Sequence, residues 1–145
     1  MAKLIYILNG PNLNLLGQRE PEIYGADSLE DVTKRLAVQA RAAGYGTKAL
    51  QSNYEGKLVD WVHEARLAAL GIIINPAAYS HTSIAILDAL NTFDGPVIEV
   101  HISDIHKREA FRHHSYVSLR ADEVIIGQGV KGYEMAMASL LKRLA

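Results

Sequence analysis

The stretch Gly71-Ile72-Ile73-Ile74-Asn75, followed at once by Pro76-Ala77-Ala78-Tyr79-Ser80-His81-Thr82-Ser83, decides the fold. Its apolar run does not alternate with polar residues, the pattern of a parallel strand covered on both faces. It then stops at an asparagine and a proline. Working outward, similar runs recur at Leu4-Ile5-Tyr6-Ile7-Leu8, at PVIEVH (96–101) and at EVIIG (123–127), with TKALQ (47–51) a further strand candidate. Helical segments separate them. Ser28 with Asp31 three residues on resembles a capping box, and Gly44 suits a helix stop. Segments 55–70, roughly 80–93, and 133–145 complete the set. The order β-α-β-α-β-α-β-β-α implies a parallel sheet with helices on both faces. Five strands in one small domain, 1–145, point to an α/β, flavodoxin-like, doubly wound sheet of order 2-1-3-4-5. That strand order rests on fold economy alone.

The 145 residues suffice for one domain with a sizeable core. A net charge of −1 gives no electrostatic footprint for nucleic acid or an anionic membrane, although a few local cations can still hold a small anion. The chain has no cysteine, which removes disulfides, thiolate zinc sites and a cysteine nucleophile from consideration. That fits a cytoplasmic protein. The run LIYIL is too short for a signal-peptide core, and no apolar run approaches membrane-spanning length.

In doubly wound sheets, ligands bind beyond the carboxyl ends of the strands, near the switch point between strands one and three. The polar residues that follow each strand therefore carry the functional signal. Strand one ends in Asn9 and a long loop, 9–25, holding three asparagines, Arg19, two glutamates and Tyr24. Connections of that length need a reason. A guanidinium beside Tyr24 would favour its phenolate and make it a base, but spacing alone favours a tyrosine that anchors the loop beside a solvated Arg19. Strand four carries Glu99 and His101 on one face. A carboxylate beside an imidazole fixes its tautomer and suits it as a general acid; the bland alternative is the outer face of an edge strand.

Other constellations point elsewhere. His101, His106, His113 and His114 match no common metal spacing, and Lys107, Arg108 and Arg112 between them would repel a cation. The run GQGVKG (127–132) mimics a dinucleotide fingerprint but lacks a return strand and a ribose-binding acid, so it is read as a turn into the last helix. Asn9 and Asn75 stand where a receiver domain would place acids, and PNLNLLGQRE is not the Ser/Thr-rich phosphate loop of a flavin module.

With these blocks in view, NGPNLNLLGQREPEIYG, QSNYEG, NPAAYSHTS, IEVHISDIHKREAFRHHSY and GQGVKGY together resemble the type II 3-dehydroquinate dehydratases, in order and with family spacing from about residue 4 to 137. The resemblance implies a lyase that dehydrates 3-dehydroquinate to 3-dehydroshikimate by anti elimination through an enolate, without cofactor or metal. By matching positions, Tyr24 is the base and Arg19 favours its phenolate. Asn12 holds a water against the enolate oxygen. His101 is the general acid, supported by Glu99. Asn75, His81 and Arg112 bind substrate, and the backbone at Ile102 and Ser103 cradles its carboxylate. Asp88 reaches a neighbour's site, since the family forms dodecamers built as a tetramer of trimers. The 9–25 loop then becomes a lid carrying the base. No lysine ends a strand in the polar cluster, so a Schiff-base route to the same product is not expected. The chain departs from the family pattern at Tyr54, Lys57, Ala77 and Asp104, none of them assigned to chemistry. An idle relative that binds a small anion is the alternative function.

Overall fold

The computed structural model describes residues 3–18, 22 and 26–145. Its centre is a five-stranded sheet, β1 (Leu4–Asn9), β2 (Gly46–Gln51), β3 (Ala69–Asn75), β4 (Val97–His101) and β5 (Glu123–Ile126). All pairings are parallel and the order is β2-β1-β3-β4-β5, the order expected on fold economy. The helices are α1 (Leu29–Ala42), α2 (Glu55–Ala68), α3 (Ile84–Leu90) and α4 (Lys131–Leu144).

Strand side chains alternate between faces, which makes two cores from one sheet. Ile5 and Ile7 of β1 join Ile73, Ile98 and Val100 under Leu36 of α1 and Tyr133, Met137 and Leu140 of α4. Tyr6 and Leu8 join Ile72, Ile74 and Val97 under Leu58 and Val62 of α2 and Ile86 and Leu90 of α3. Burying one such Leu or Ile contributes about 1.5–3 kcal/mol. Burial on both faces explains why the central strands read as unbroken apolar runs.

The helix ends follow local chemistry. Ser28 and Asp31 form the reciprocal capping box at the start of α1. Gly44, at φ +92°, takes the left-handed turn that ends the helix. Two expected helices are shorter than the sequence suggests. The segment expected at 55–70 ends at Ala68, because Ala69 pairs with Leu4 and enters β3. The segment expected at 80–93 is α3 alone, preceded by a separate 3-10 turn, Ala77–His81. The true cap is Ser83, whose side chain accepts from the Ile86 N–H. His81 and Asp88 therefore do not share a helix.

One close crossing joins the two strands at the switch point. The Gly10 N–H donates to the Asn75 carbonyl at 2.8 Å. A Cβ at Gly10 would lie 2.4 Å from the Pro76 oxygen, so only glycine lets the chains pass.

Candidate active site

The site is built where β1, β3 and β4 end. Register puts Asn9 beside both Gln51 and Asn75, a polar row at the carboxyl edge of an apolar sheet. Tyr133 of α4 reaches this row. Its hydroxyl donates to Asn9 Oδ1 at 2.7 Å and accepts from Asn75 Nδ2 at 3.0 Å. Burial pushes the Tyr133 phenol well above its ordinary pKa, so it stays a neutral donor. Asn75 Oδ1 accepts from the Ala77 N–H at 3.1 Å, which steadies Ala77 at its left-handed φ of +53°. With both of those contacts made, Asn75 has its second Nδ2 hydrogen and a second Oδ1 lone pair left for a ligand.

Glu99 and His101 share the α2–α3 face of β4. That strand lies between β3 and β5, so the edge-strand alternative falls. Glu99 is 0% exposed. His101 Nε2 donates to Glu99 Oε2 through a short contact, while Ser115 Oγ and Ser118 Oγ donate to Oε2 and Oε1, each at 2.6 Å. Burial drives the Glu99 carboxyl up, but the hydrogen bonds from His101, Ser115 and Ser118 outweigh it and hold the group below the usual glutamate value. With Nε2 committed to Glu99, Nδ1 is the His101 nitrogen left for chemistry.

A cleft opens over this pair. The first loop lines it with Asn12 and Leu13, the turn after β3 with Ala77 and His81, and the chain after β4 with Ser103, Arg108 and Arg112. Leu13 and Leu16 are buried and pin the start of the first loop to the core. Asn12 sits at a left-handed φ of +69°, its N–H donating to Asn53 Oδ1 at 3.0 Å. The His81 ring lies 6.4 Å from the His101 ring, nearly parallel to it. His81 Nδ1 donates to the His114 carbonyl at 2.8 Å, which leaves Nε2 as an acceptor. Burial holds the His81 imidazole below its usual pKa, favouring the neutral ring. Arg112 is aligned by Glu109, its Nε donating to Oε1 at 2.9 Å.

Asn12, Asn75, His81, His101, Ile102, Ser103 and Arg112 thus meet in one cleft, with Glu99 directly behind His101. Asp88 does not line it and lies exposed on α3. Arg19 and Tyr24 lie outside the described residues. Sequence reasoning missed Ser115, Ser118 and Tyr133, and treated Arg108 only as a charge that would repel a metal. Among the described residues, no group of three or more His, Cys, Asp or Glu is placed to hold a metal, and no helix is long and apolar enough to cross a membrane. Tyr54, one of the departures from the family pattern, is 75% exposed outside the cleft. Asp104 accepts from the His106 N–H and shapes the turn after β4.

Comparison with known proteins agrees with this arrangement. A 3-dehydroquinate dehydratase of Cereibacter sphaeroides is 66% identical over 94% of this chain and 93% of that protein. One of Streptomyces coelicolor is 72% identical over 89% of this chain and 83% of that protein. The crystal structure of the type II dehydroquinase from Propionibacterium acnes superposes with a TM-score of 0.92 at 46% identity, covering 98% of both chains. The family described as Dehydroquinase class II matches residues 3–141, and the chain belongs to that family.

Proposed function

We propose that the chain is a hydro-lyase that converts 3-dehydroquinate to 3-dehydroshikimate, the dehydration used in the shikimate pathway of aromatic biosynthesis and also in quinate breakdown. The observation that carries the reading is the buried Glu99–His101 pair opening into a cleft with Asn12, Asn75, His81 and Arg112. The reaction removes a proton from the carbon beside the ketone, and the electron pair moves into an enolate. The enolate then re-forms the ketone, makes the ring double bond and expels the hydroxyl. That hydroxyl takes a proton from His101 Nδ1 and leaves as water.

Each step has a resident group. Tyr24 is the base and Arg19 favours its phenolate. Asn12 orients a water against the enolate oxygen. Glu99 accepts from Nε2 and so fixes the His101 ring with Nδ1 toward the leaving group. Asn75, neutral His81 and Arg112 hold substrate hydroxyls, while the Ile102 and Ser103 backbone takes the carboxylate. Side chains supply the whole reaction, so no cofactor is called for. Nothing favours the idle anion-binding alternative.

Asp88, exposed and away from its own cleft, fits a contact given to an adjacent subunit in a trimer, four of which would form a dodecamer. Mixed assemblies of Tyr24→Phe and Asp88→Ala chains test this, since some mixed sites regain every group and activity should exceed the mean of the two parents. The reaction itself is tested by mixing protein with 3-dehydroquinate and following the conjugated enone by ultraviolet absorbance. Steady growth of the absorbance is the expected result; none, with the protein folded, rejects the reading.

A further inference from the structure

We propose that Ser115 and Ser118 are positioning residues for the general acid: their hydroxyls keep Glu99 a carboxylate, so the proton of the Glu99–His101 pair stays on the imidazole. The proposal rests on the reading of His101 as the acid.

A fully buried carboxylate next to an imidazole faces a choice. The pair can remain charged, or the proton can pass to the acid and leave two neutral groups. Burial favours the neutral form unless donors compensate the carboxylate. Here they do. Ser118 Oγ meets Oε1 and Ser115 Oγ meets Oε2, both at 2.6 Å, a length typical of a hydroxyl donating to an ionised carboxylate. Together with His101, both oxygens are engaged. The in-sheet neighbours, Ile74 of β3 and Val124 of β5, offer nothing polar. Among the described residues, the other charged or titratable groups lining the cleft over the pair are His81, Arg108 and Arg112, and Arg112 is itself bonded to Glu109.

The serines also belong to a segment that cannot drift. Val117 is fully buried, and the Tyr116 N–H donates to the Ser80 carbonyl at 2.8 Å. Just before Ser115, the His114 carbonyl holds His81 Nδ1. Residues 114–118 therefore orient both imidazoles of the cleft from behind.

The test uses Ser115→Ala, Ser118→Ala and the double variant. In ligand-free protein carrying ¹³C-labelled glutamate, with the signal assigned by Glu99→Gln, the Glu99 titration midpoint should rise by about 1–2 pH units for each hydroxyl lost. With 3-dehydroquinate, the double variant should lose about tenfold in plateau kcat. The basic limb of its kcat–pH profile should move upward, because the pair now keeps its proton on Glu99. Ser118→Thr retains a hydroxyl at an exposed position and should restore both readouts. A Glu99 midpoint unmoved in the folded double variant overturns the proposal, as does a fall in kcat with the basic limb in place. Absence of turnover in the wild type would reject the proposed reaction instead, and the carbon titration alone would then decide the role of the serines.

Discussion

The two ends of the sheet use polar groups in opposite ways. At the amino end of β4, Arg120 donates to the carbonyls of Leu90, Phe93 and Gly95, and Asp122 accepts from the Val97 N–H. The partners of these two side chains are backbone groups or each other, and the cluster closes on itself. At the carboxyl end, Asn75 and His101 are each bonded on one side and open to a cleft on the other. A polar group fully consumed by the chain stabilises it. One held firmly by half of its capacity is an oriented reagent.

The sharpest way to break that contrast is His101→Ala. Loss of the acid should lower kcat per folded molecule by about 10²–10⁴-fold, and the thermal midpoint should fall as well, because the buried Glu99 loses a partner. Steady-state kinetics beside a melting curve would show it. A similar kcat in the variant would remove His101 from the chemistry. Arg120→Ala is the mirror experiment. It removes the Arg120 donors from three carbonyls, of which that of Leu90 keeps the Phe93 N–H, and should cost about 2–4 kcal/mol, lowering Tm by about 5–12 °C, with kcat per folded molecule within about threefold of normal. Calorimetry and kinetics on the same sample check both halves.

Tyr133→Phe probes a group between the two extremes. The hydroxyl serves the fold, yet it also sets the Asn75 amide. The expected loss is about 1–2 kcal/mol of stability, with KM raised several-fold more than kcat falls. Urea unfolding and a substrate titration separate the two effects, and unchanged KM would reduce Tyr133 to a structural tie. Ser28→Ala should have the smallest effect, about 1 kcal/mol, from loss of the α1 cap. It refines the comparison, because Ser28 begins the helix that follows β1 and has no place in the cleft. Any clear change in kcat there would mean that distance from the cleft does not insulate it.

Much of this organisation was legible in the sequence. Burial on both faces wrote the central strands as Ile- and Val-rich runs, and the parallel order followed from the helices between them. Glu99 and His101 were visible because alternation places them on one face and one strand end. The start of α3 was placed early, at about residue 80, because Ser80, Thr82 and Ser83 are all plausible caps, and the 3-10 turn over Ala77–His81 decides for Ser83. Tyr133 was invisible for another reason: it bonds Asn9 from 124 residues away, a pairing that local pattern does not record. Ser115 stood inside a recognised block and Ser118 two residues beyond it, but a serine has no signature until the carboxylate it faces is known. Tyr24 and Arg19 came from resemblance, since spacing left their pairing open.

The crossing at Gly10 works as a spacer gauge. Gly10 directly precedes the loop that forms one wall of the cleft, and Pro76 directly precedes the turn that forms another. The gap between their backbones is set by a carbon that is not there, with only 2.4 Å available for it. A methyl at position 10 would press on the Pro76 carbonyl, next to the bond from the Gly10 N–H to the Asn75 carbonyl. Its bulk would be transmitted to the spacing of the two walls, so that a change in the least chemical residue of the region would register as a change in what fits between them.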